Sequence, residues 1–485
     1  MKKIIALLLA LVMVFALVAC GNPSGNQPSG NPDPKPSGSQ GTDPNPPASE
    51  PPVDPRADWG PEPEGPIEVM IWTFYGETML GQFQQIIDAF NASQTKYVVK
   101  AEYQGGQAEM NAKIQSTAQK DLPEMYHGAV ENTAMYAVAD YTVPLQEFID
   151  IDSEGWPELE STWAAILTAY QDQNGNQIAY PQGYSYGGLY YNADMFKAAG
   201  IDASKILCME DLYNASKKLV DGGYTTYGTG FHPDGFYFNA MLGREGINYY
   251  NGDNGYSDKI TECWYVSDPT ANNAIKTMLT YYQKLHAENL CVAYGSHYQK
   301  EIIPLIAEEK CASMIGVVSM TTKILDAVAG KFEVGIVPLP SATAAGKRTG
   351  EAAGGTGNFI CNNGDKWAQQ GAYEFIKFAS SAEQAGYFAS VTGYLAPNQA
   401  AYDSKVYADY LANVFPAISV VYDSLAKSDD SALNPYIPIG NEMKAANKLA
   451  IQTVSADPTC SIDDAIKAAY DTLQEAIDLY NLSNP

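Results

Sequence analysis

The sequence predicts an α/β fold with mostly parallel strands, because short apolar runs alternate with segments that carry apolar residues at helical spacing. The run at 67–72 (IEVMIW) has the composition of a strand, and 78–90 (TMLGQFQQIIDAF) has the periodicity of a helix. A second strand at 97–103 and a second helix at 108–120 follow in the same order. Two repeats of strand and helix are typical of an α/β domain.

The loops after the first two strands are the first candidates for a pocket. In sheets of this kind the binding crevice lies at the carboxyl ends of the strands, which here are followed by 73–78 and 104–107. Further along, Asn174-Gly175 predicts a tight turn between two short strands. The pattern continues with a strand at 311–318, a strand-to-loop passage at 332–340, and a segment 354–362 that precedes a helix at 367–381, and it ends in a helical C-terminal region of 80 residues. About 420 residues after the first 66 are enough for two domains or two lobes of one.

The N terminus has the pattern of a secretory signal peptide with a lipoprotein cleavage site. Lys2 and Lys3 precede an apolar run at 4–19, which ends in LVAC-G. This run is shorter than the ~20 residues that a membrane-spanning helix needs. As in the bacterial lipoproteins that this terminus resembles, residues 1–19 are expected to be removed and Cys20 to be acylated, for example with palmitate. The protein is then lipid-anchored at the extracytoplasmic face of the cell membrane.

Residues 20–65 are predicted to be a tether. The segment 21–66 holds 14 of the 29 prolines and a single aromatic residue, Trp59, and it is rich in Gly, Ser, Asn and Asp. Such a composition cannot bury enough apolar surface to fold, and its prolines favour extended chain. Folded structure is expected to begin near Ile67.

Charge and cysteine content exclude several classes. Acidic residues outnumber basic ones by 56 to 29, which disfavours nucleic acid as a partner. The six cysteines beyond Cys20 form no CxxC pair, and free thiols are favoured over a disulfide framework, although one or two bridges remain open. The four histidines lack metal-ligand spacing, so neither a metal site nor a cofactor is indicated.

One motif suggests an enzyme. Residues 183–187 (GYSYG) match the G-x-S-x-G elbow of serine hydrolases, with Ser185 as the nucleophile. That serine must lie on a sharp turn into a helix, whereas Ser185 is followed by a strand pattern, so a hydrolase is a remote alternative. The loop 251–258 (NGDNGYSD) hints at calcium but lacks the residue placement of an EF-hand.

Several later segments together resemble extracellular solute-binding protein family 1, the receptors of bacterial ABC importers for sugars. These are the run AYPQGYSYGGLYYNADMFKAAG, the run EVGIVPLP, the Gly354-Gly355 segment and the run FIKFASSAEQAGYFASVTGYLAPNQAAY. The family includes maltose-binding and glycerol-3-phosphate-binding proteins, and the resemblance extends from about Ile67 to the C terminus.

The resemblance implies a type II periplasmic-binding-protein-like fold, in which a ligand binds between two α/β lobes and no catalytic step follows. Lobe 1 would comprise 66–183 plus 356–398, and lobe 2 would comprise 184–355 plus 399–485. The hinge would lie at 180–188 and 354–358. The protein is expected to be a monomer that delivers its ligand to ABC permease subunits in the membrane.

Positions carried over from the family give twelve candidate ligand contacts. They lie in strand-to-helix loops, in the crossing segments and in an aromatic stretch of the second lobe. Many are aromatic, and aromatic rings pack well on the C–H faces of sugars. The twelve are Trp72, Tyr75, Glu77, Gln107, Glu131, Asn132, Ser185, Tyr186, Phe236, Tyr237, Gly355 and Tyr394.

Arginine content separates two ligand classes within the family. Phosphate is usually clamped by arginine, yet the chain holds only Arg56, Arg244 and Arg348. Relatives that bind glycerol phosphate esters have an arginine pair where this chain has Pro435 and Pro438. A neutral mono- or oligosaccharide is therefore the preferred ligand. Glycerol-3-phosphate or a glycerophosphodiester, with Lys323 or Arg244 supplying a lone charge, is the alternative.

Overall fold

The computed structural model describes residues 54–293 and 295–484. Nine strands occur in this part of the chain, and each is rich in β-branched, aromatic or glycine residues. They are β1 Ile67–Thr73, β2 Tyr97–Tyr103, β3 Met125–Ala129, β4 Thr142–Val143, β5 Tyr180–Ser185, β6 Gly187–Asn192, β7 Ser313–Val317, β8 Val334–Pro338 and β9 Gly354–Cys361. Cys20, the signal peptide and the tether before residue 54 lie outside the described residues.

Eleven longer helices of the described chain surround these strands. They are α1 Glu77–Ser93, α2 Gln107–Ser116, α3 Met209–Asp221, α4 Gly235–Glu245, α5 Pro269–Ala287, α6 Thr321–Val328, α7 Lys366–Ser380, α8 Ala382–Thr392, α9 Lys405–Asn413, α10 Gly440–Ala456 and α11 Ile462–Ser483. Shorter α-helices occur at Thr133–Ala137, Gln146–Ile149, Pro157–Glu160, Ala164–Thr168, Ala193–Ala198, Asn251–Asn254, Ile303–Ala307, Gln399–Tyr402 and Ser419–Leu425. No helix in 54–293 or 295–484 combines the length and apolar character needed to cross a membrane.

The strands form two sheets. The first has the order β2-β1-β3-β9-β4, with β5 also paired to β9, and the second has the order β7-β6-β8. Only β1–β2 and β1–β3 are parallel among the pairings of these strands. The expectation of mostly parallel strands is therefore wrong. The α/β alternation that suggested it is present in the first three strands, but the later strands return antiparallel through β9 and β6.

The chain passes between the sheets at two adjacent places. Strand β5 ends at Ser185 and β6 begins at Gly187, so a single residue, Tyr186, separates the two sheets. The second passage precedes β9, whose residue Gly354 pairs with Ser185. The two segments expected to form the hinge thus lie side by side. Their action as a hinge, and the two lobes that it would separate, stay predictions.

A buried carboxylic acid bridges these two passages. The Gly187 N–H donates to Glu351 Oε1, and Glu351 is 2% exposed. Burial raises the pKa of Glu351 to about 8, although the Arg244 guanidinium and the Gly187 N–H act in the opposite direction. Arg244 is itself buried and donates to Ser424 Oγ at 3.0 Å. A group that is hard to ionise therefore lies where the chain changes sheets.

Buried apolar side chains of the described chain form three clusters. One cluster packs under the first sheet with α1 and α7, and another packs under the second sheet with α4, α5, α10 and α11. A third contains residues from both sheets, including Tyr126, Tyr184 and Tyr190. All six cysteines after residue 54 are unbridged, and five of them are buried.

Ordered structure starts earlier than Ile67. Residues Ala57–Trp59 form one turn of 3-10 helix, and the Trp59 ring lies edge-on to Trp367 with ring centroids 5.3 Å apart. The Trp367 indole N–H donates to the Gly60 carbonyl at 3.3 Å, and Lys96 pairs with Glu62 at 2.5 Å. The one aromatic residue of the expected tether is thus docked on the folded part, because a ring of that size gains from leaving water.

Candidate ligand-binding cavity

A cavity of about 230 Å³ lies beside the passage between the two sheets. It is lined by aromatic rings, by carboxylates and by glycine backbone, with residues from both halves of the described chain. The lining residues are Phe74, Gln107, Ala129, Glu131, Ser185, Asp234, Phe236, Tyr237, Tyr298, Val317, Ser319, Gly354, Gly355, Thr356, Tyr394 and Lys444.

The first sheet contributes the residues that follow its strands. Phe74 comes directly after β1, Gln107 begins α2 after β2, and Glu131 follows β3. Strands β1, β2 and β3 are parallel, so their carboxyl ends meet at one edge of the sheet. This is the edge at which α/β sheets bind ligands. The local order of the sequence therefore places these three side chains together.

The opposite wall is set by the start of α4. Asp234 caps this helix, because its carboxylate accepts the Phe236 N–H at 2.9 Å. The cap fixes the first turn and directs Phe236 and Tyr237 at the cavity. The Tyr237 hydroxyl is hydrogen-bonded to the Tyr298 hydroxyl, and burial raises the pKa of both groups. These phenols stay neutral and can hydrogen-bond without carrying charge.

A lysine that the sequence did not single out joins the two walls. The Lys444 ammonium is 3.1 Å from Glu131 Oε1 and 3.8 Å from Asp234 Oδ1. Glu131, and then Asp234, raise the pKa of Lys444 and keep it protonated. Asn132 donates to Asn441 Oδ1 at 3.1 Å one turn earlier in α10. Polar contacts thus connect the loop after β3 to the start of α10.

The floor combines a serine, a glycine and a tyrosine. Ser185 Oγ is buried, and no hydrogen-bond partner for it occurs in the described chain. Gly355 has a φ of +133°, and a Cβ there would lie 2.2 Å from the Gly183 carbonyl oxygen. The Tyr394 ring stacks on the Phe388 ring, with the two ring centroids 6.1 Å apart. It also packs so closely on Gly183 that a Cβ at position 183 would collide with the Tyr394 ring. Only glycine fits at either position.

Seven of the twelve predicted contact residues line this cavity, and five do not. Trp72 is buried under the Lys113 ammonium, which lies 4.1 Å from the ring centroid. Tyr75 packs in the core near Phe83 and Phe388. Glu77 is exposed at the start of α1, Asn132 is buried beside Asn441, and the Tyr186 hydroxyl is bonded to Ser428 Oγ at 2.7 Å. A ligand contact for these five has no support from the cavity geometry.

Local packing explains why the cavity is lined by residues other than some of those predicted. In the loop after β1 the residue that faces the cavity is Phe74, which stands between the buried residues Thr73 and Tyr75. Asp234 could have been found as a helix cap that precedes the predicted aromatic pair. Lys444 lies in the late segment compared above for arginines, at a helix position that only the packing of α10 reveals. Arg244 and Lys323, named above as possible lone charges, do not line the cavity.

The site lacks the arrangement of a hydrolase. Ser185 is the last residue of β5 and leads into β6, not into a helix, so no nucleophile elbow forms. None of the cavity-lining residues is a histidine. Within 54–293 and 295–484, no group of three His, Cys, Asp or Glu side chains is arranged to hold a metal ion. The geometry is that of a cavity lined by residues from both sheets and from the helices that follow their strands.

Comparison with known proteins gives the family. The family model described as bacterial extracellular solute-binding protein matches residues 85–415, and the chain belongs to this family. Its members are substrate-binding proteins and not enzymes, which confirms the assignment made from the sequence motifs. The α/β fold expected from the sequence is confirmed by its similarity to solved structures of solute-binding proteins.

Two curated relatives and one structure show the range of similarity. The sn-glycerol-3-phosphate-binding periplasmic protein of Brucella abortus is 29% identical over 143 residues, 29% of this chain and a third (33%) of that protein. The arabinooligosaccharide-binding protein of Bacillus subtilis is 23% identical over 85% of this chain and 91% of its own length. The Listeria monocytogenes substrate-binding protein in complex with cycloalternan has a TM-score of 0.69 at 17% identity, covering 85% and 99% of the two chains.

Proposed function

We propose that this protein is the lipid-anchored substrate-binding protein of an ABC importer and that it binds a neutral mono- or oligosaccharide in the cavity. One observation carries the proposal. The cavity presents aromatic faces, amide and hydroxyl groups and two carboxylates, and no arginine lines it within the described residues. Rings that pack on C–H faces, together with acceptors for hydroxyl groups, are the chemistry of a sugar site.

The relatives support the same ligand class. The match to the arabinooligosaccharide-binding protein spans nearly the whole of both chains, whereas the match to the glycerol-3-phosphate-binding protein covers a third of that relative. The latter nevertheless keeps a phosphate ester as the alternative ligand. That alternative requires an available cation, and the cavity's lysine already has two carboxylate partners.

The volume of the cavity favours a small ligand or the end of a longer one. About 230 Å³ is below the roughly 300–1,000 Å³ that pockets for drug-sized molecules enclose. One sugar ring would occupy this space, where Phe236 and Tyr394 offer aromatic faces and Glu131, Asp234 and the unpaired Ser185 Oγ offer hydrogen-bond partners for its hydroxyl groups. A longer oligosaccharide would extend beyond this cavity.

The route from binding to transport follows from the family's architecture. Ligand contacts to both walls favour a state in which the walls are close, and a permease can recognise that state. The LVAC-G terminus supports acylation of Cys20 and a place at the extracytoplasmic face of the membrane. The protein would act there as a monomer.

Calorimetry tests the ligand class. Purified protein is titrated with arabino- and malto-oligosaccharides of one to four units, with monosaccharides and with sn-glycerol 3-phosphate. We expect at least one neutral sugar to bind, with affinity that changes little between 50 and 500 mM salt because no charge pairing is involved. Binding of the phosphate ester with none of the sugars would refute the proposal. Hydrolysis products that disappear in Ser185→Ala would restore the enzyme alternative.

A further inference from the structure

Lys444 is the one cation among the residues that line the cavity in the described chain, yet its surroundings differ from those of an anion-binding lysine. Its ammonium lies between two carboxylates from opposite walls, 3.1 Å from Glu131 and 3.8 Å from Asp234. The three charged groups leave one negative charge uncompensated. An incoming phosphate would meet that excess charge before it met a free ammonium.

The two carboxylates are fixed from different directions. Asp234 is held by the first turn of α4, since its Oδ1 accepts the Phe236 N–H. Glu131 is held by the turn after β3, and its side chain is only 10% exposed. Both nevertheless line the cavity, and each carboxylate has lone pairs that the lysine does not use. These oxygens can accept hydrogen bonds from neighbouring hydroxyl groups of one ligand.

We infer that Lys444 is a positioning residue that holds Glu131 and Asp234 as a pair of hydroxyl acceptors, and that this arrangement excludes phosphate esters from the site. The inference rests on the proposed function, and it deepens it by assigning specificity to these three residues. Lys444 contributes to ligand selectivity because its ammonium is already paired with Glu131 and Asp234. A cation that would otherwise attract an anion is neutralised by its neighbours, so the site selects polyhydroxylated, uncharged molecules.

The test uses isosteric changes that release the lysine. Glu131→Gln removes one carboxylate, and Glu131→Gln with Asp234→Asn removes both, while Asn still caps α4. The probe is sn-glycerol 3-phosphate, titrated into full-length protein at about 50 mM salt. We expect weak or no binding to the wild type, an affinity gain of about tenfold for Glu131→Gln, and a larger gain for the double variant. Adding Lys444→Met to the double variant should abolish the gain.

Asp152→Asn is the matched control. Asp152 pairs with Lys377 at 2.5 Å, its side chain is 10% exposed like that of Glu131, and the pair does not line the cavity. This variant also leaves a lysine without its carboxylate, so it should bind the phosphate ester no better than the wild type. If Glu131→Gln does not fold, the single variant Asp234→Asn, for which a smaller gain is expected, carries the test.

The outcomes separate this inference from the proposed function. Folded Glu131→Gln and double variants that gain no affinity for the phosphate ester would overturn the inference, even if the wild type binds a neutral sugar. A gain that survives Lys444→Met would overturn it as well. A graded gain in a protein that binds none of the neutral sugars would support the inference and refute the proposed function. Tight binding of the ester to the wild type, lost in Lys444→Met, would overturn the inference, and together with a failure to bind any neutral sugar it would refute the proposed function as well.

Discussion

The buried acid between the two sheets predicts an unusual dependence of stability on pH. Glu351 has an ordinary pKa of 4.5 and a pKa of about 8 in the folded protein, because burial disfavours its charged form. The folded state therefore binds this proton more tightly than the unfolded state. The contribution to stability is fully present below pH 4.5 and is lost as the pH rises through about 8.

The magnitude follows from the size of the pKa shift. Each pKa unit corresponds to about 1.4 kcal/mol, so a rise from 4.5 to about 8 costs the folded state ~5 kcal/mol once Glu351 is ionised. Glu351→Gln keeps an acceptor for the Gly187 N–H and cannot ionise. We expect it to match the wild type near pH 4.5 and to exceed it by ~3 kcal/mol at pH 7, using the same conversion.

Urea unfolding of wild type and Glu351→Gln at pH 4.5, 6, 7 and 8 measures this difference directly. Other buried groups cancel in the comparison, including His127, whose pKa is lowered to about 3, and His286, whose pKa is lowered to about 4. Both histidines act in the opposite sense, since they stabilise the fold at high pH and lose that effect as the pH falls. A variant that is equally or less stable than the wild type at pH 8 would refute the reasoning.

Four further predictions concern the ligand, the passage between the sheets and the anchor. Tyr394→Ala should weaken sugar binding by ~1–3 kcal/mol in calorimetry. Trp72→Ala removes a ring outside the cavity, so it should lower the melting temperature of the protein and leave its sugar affinity within twofold of the wild type. Gly355→Ala should destabilise the protein by ~1–3 kcal/mol or more, because the φ of Gly355 is +133° and a Cβ there would collide with the backbone. Gly81 lies in α1 with open space around it, so Gly81→Ala should stabilise the protein by ~0.5–1 kcal/mol. Saturating sugar should reduce the radius of gyration in small-angle scattering, and an unchanged envelope would contradict hinge closure. Membrane fractionation should release Cys20→Ala but not the wild type, and equal release would contradict lipid anchoring.

Sequence patterns predict local features of this molecule better than long-range ones. The helix predicted at 78–90 is observed at Glu77–Ser93, and the helix predicted at 367–381 is observed at Lys366–Ser380, because apolar periodicity is a property of neighbouring residues. The direction of β9 depends on pairing with β3, more than 200 residues away. Nothing in the segment 354–362 itself encodes that direction, so the antiparallel pairings could not be predicted.

The same distinction holds for the candidate site. The loops after β1 and β2, which the sequence indicated as pocket candidates, contribute Phe74 and Gln107 to the lining of the cavity, although its use as a ligand site stays a prediction. Around the end of β1, however, the choice between Trp72, Phe74 and Tyr75 as the ring that faces the cavity depends on which rings the core accepts. Lys444 is even less accessible to sequence reasoning, because its role arises from two carboxylates that are remote in the chain and that meet only when α10 packs against the turn after β3.

The docking of Trp59 has a mechanical consequence. Strand β1 lies inside its sheet, bonded to β2 on one side and β3 on the other, and it starts eight residues after Trp59. A pull on the chain from before Asp54 first meets the Trp59–Trp367 contact and the Glu62–Lys96 ion pair. These contacts lie outside the β1 pairings, so breaking them would leave the hydrogen bonds between β1 and its two neighbours in place. A pull on the N-terminal segment would therefore load the contacts of residues 57–62 before it loaded β1.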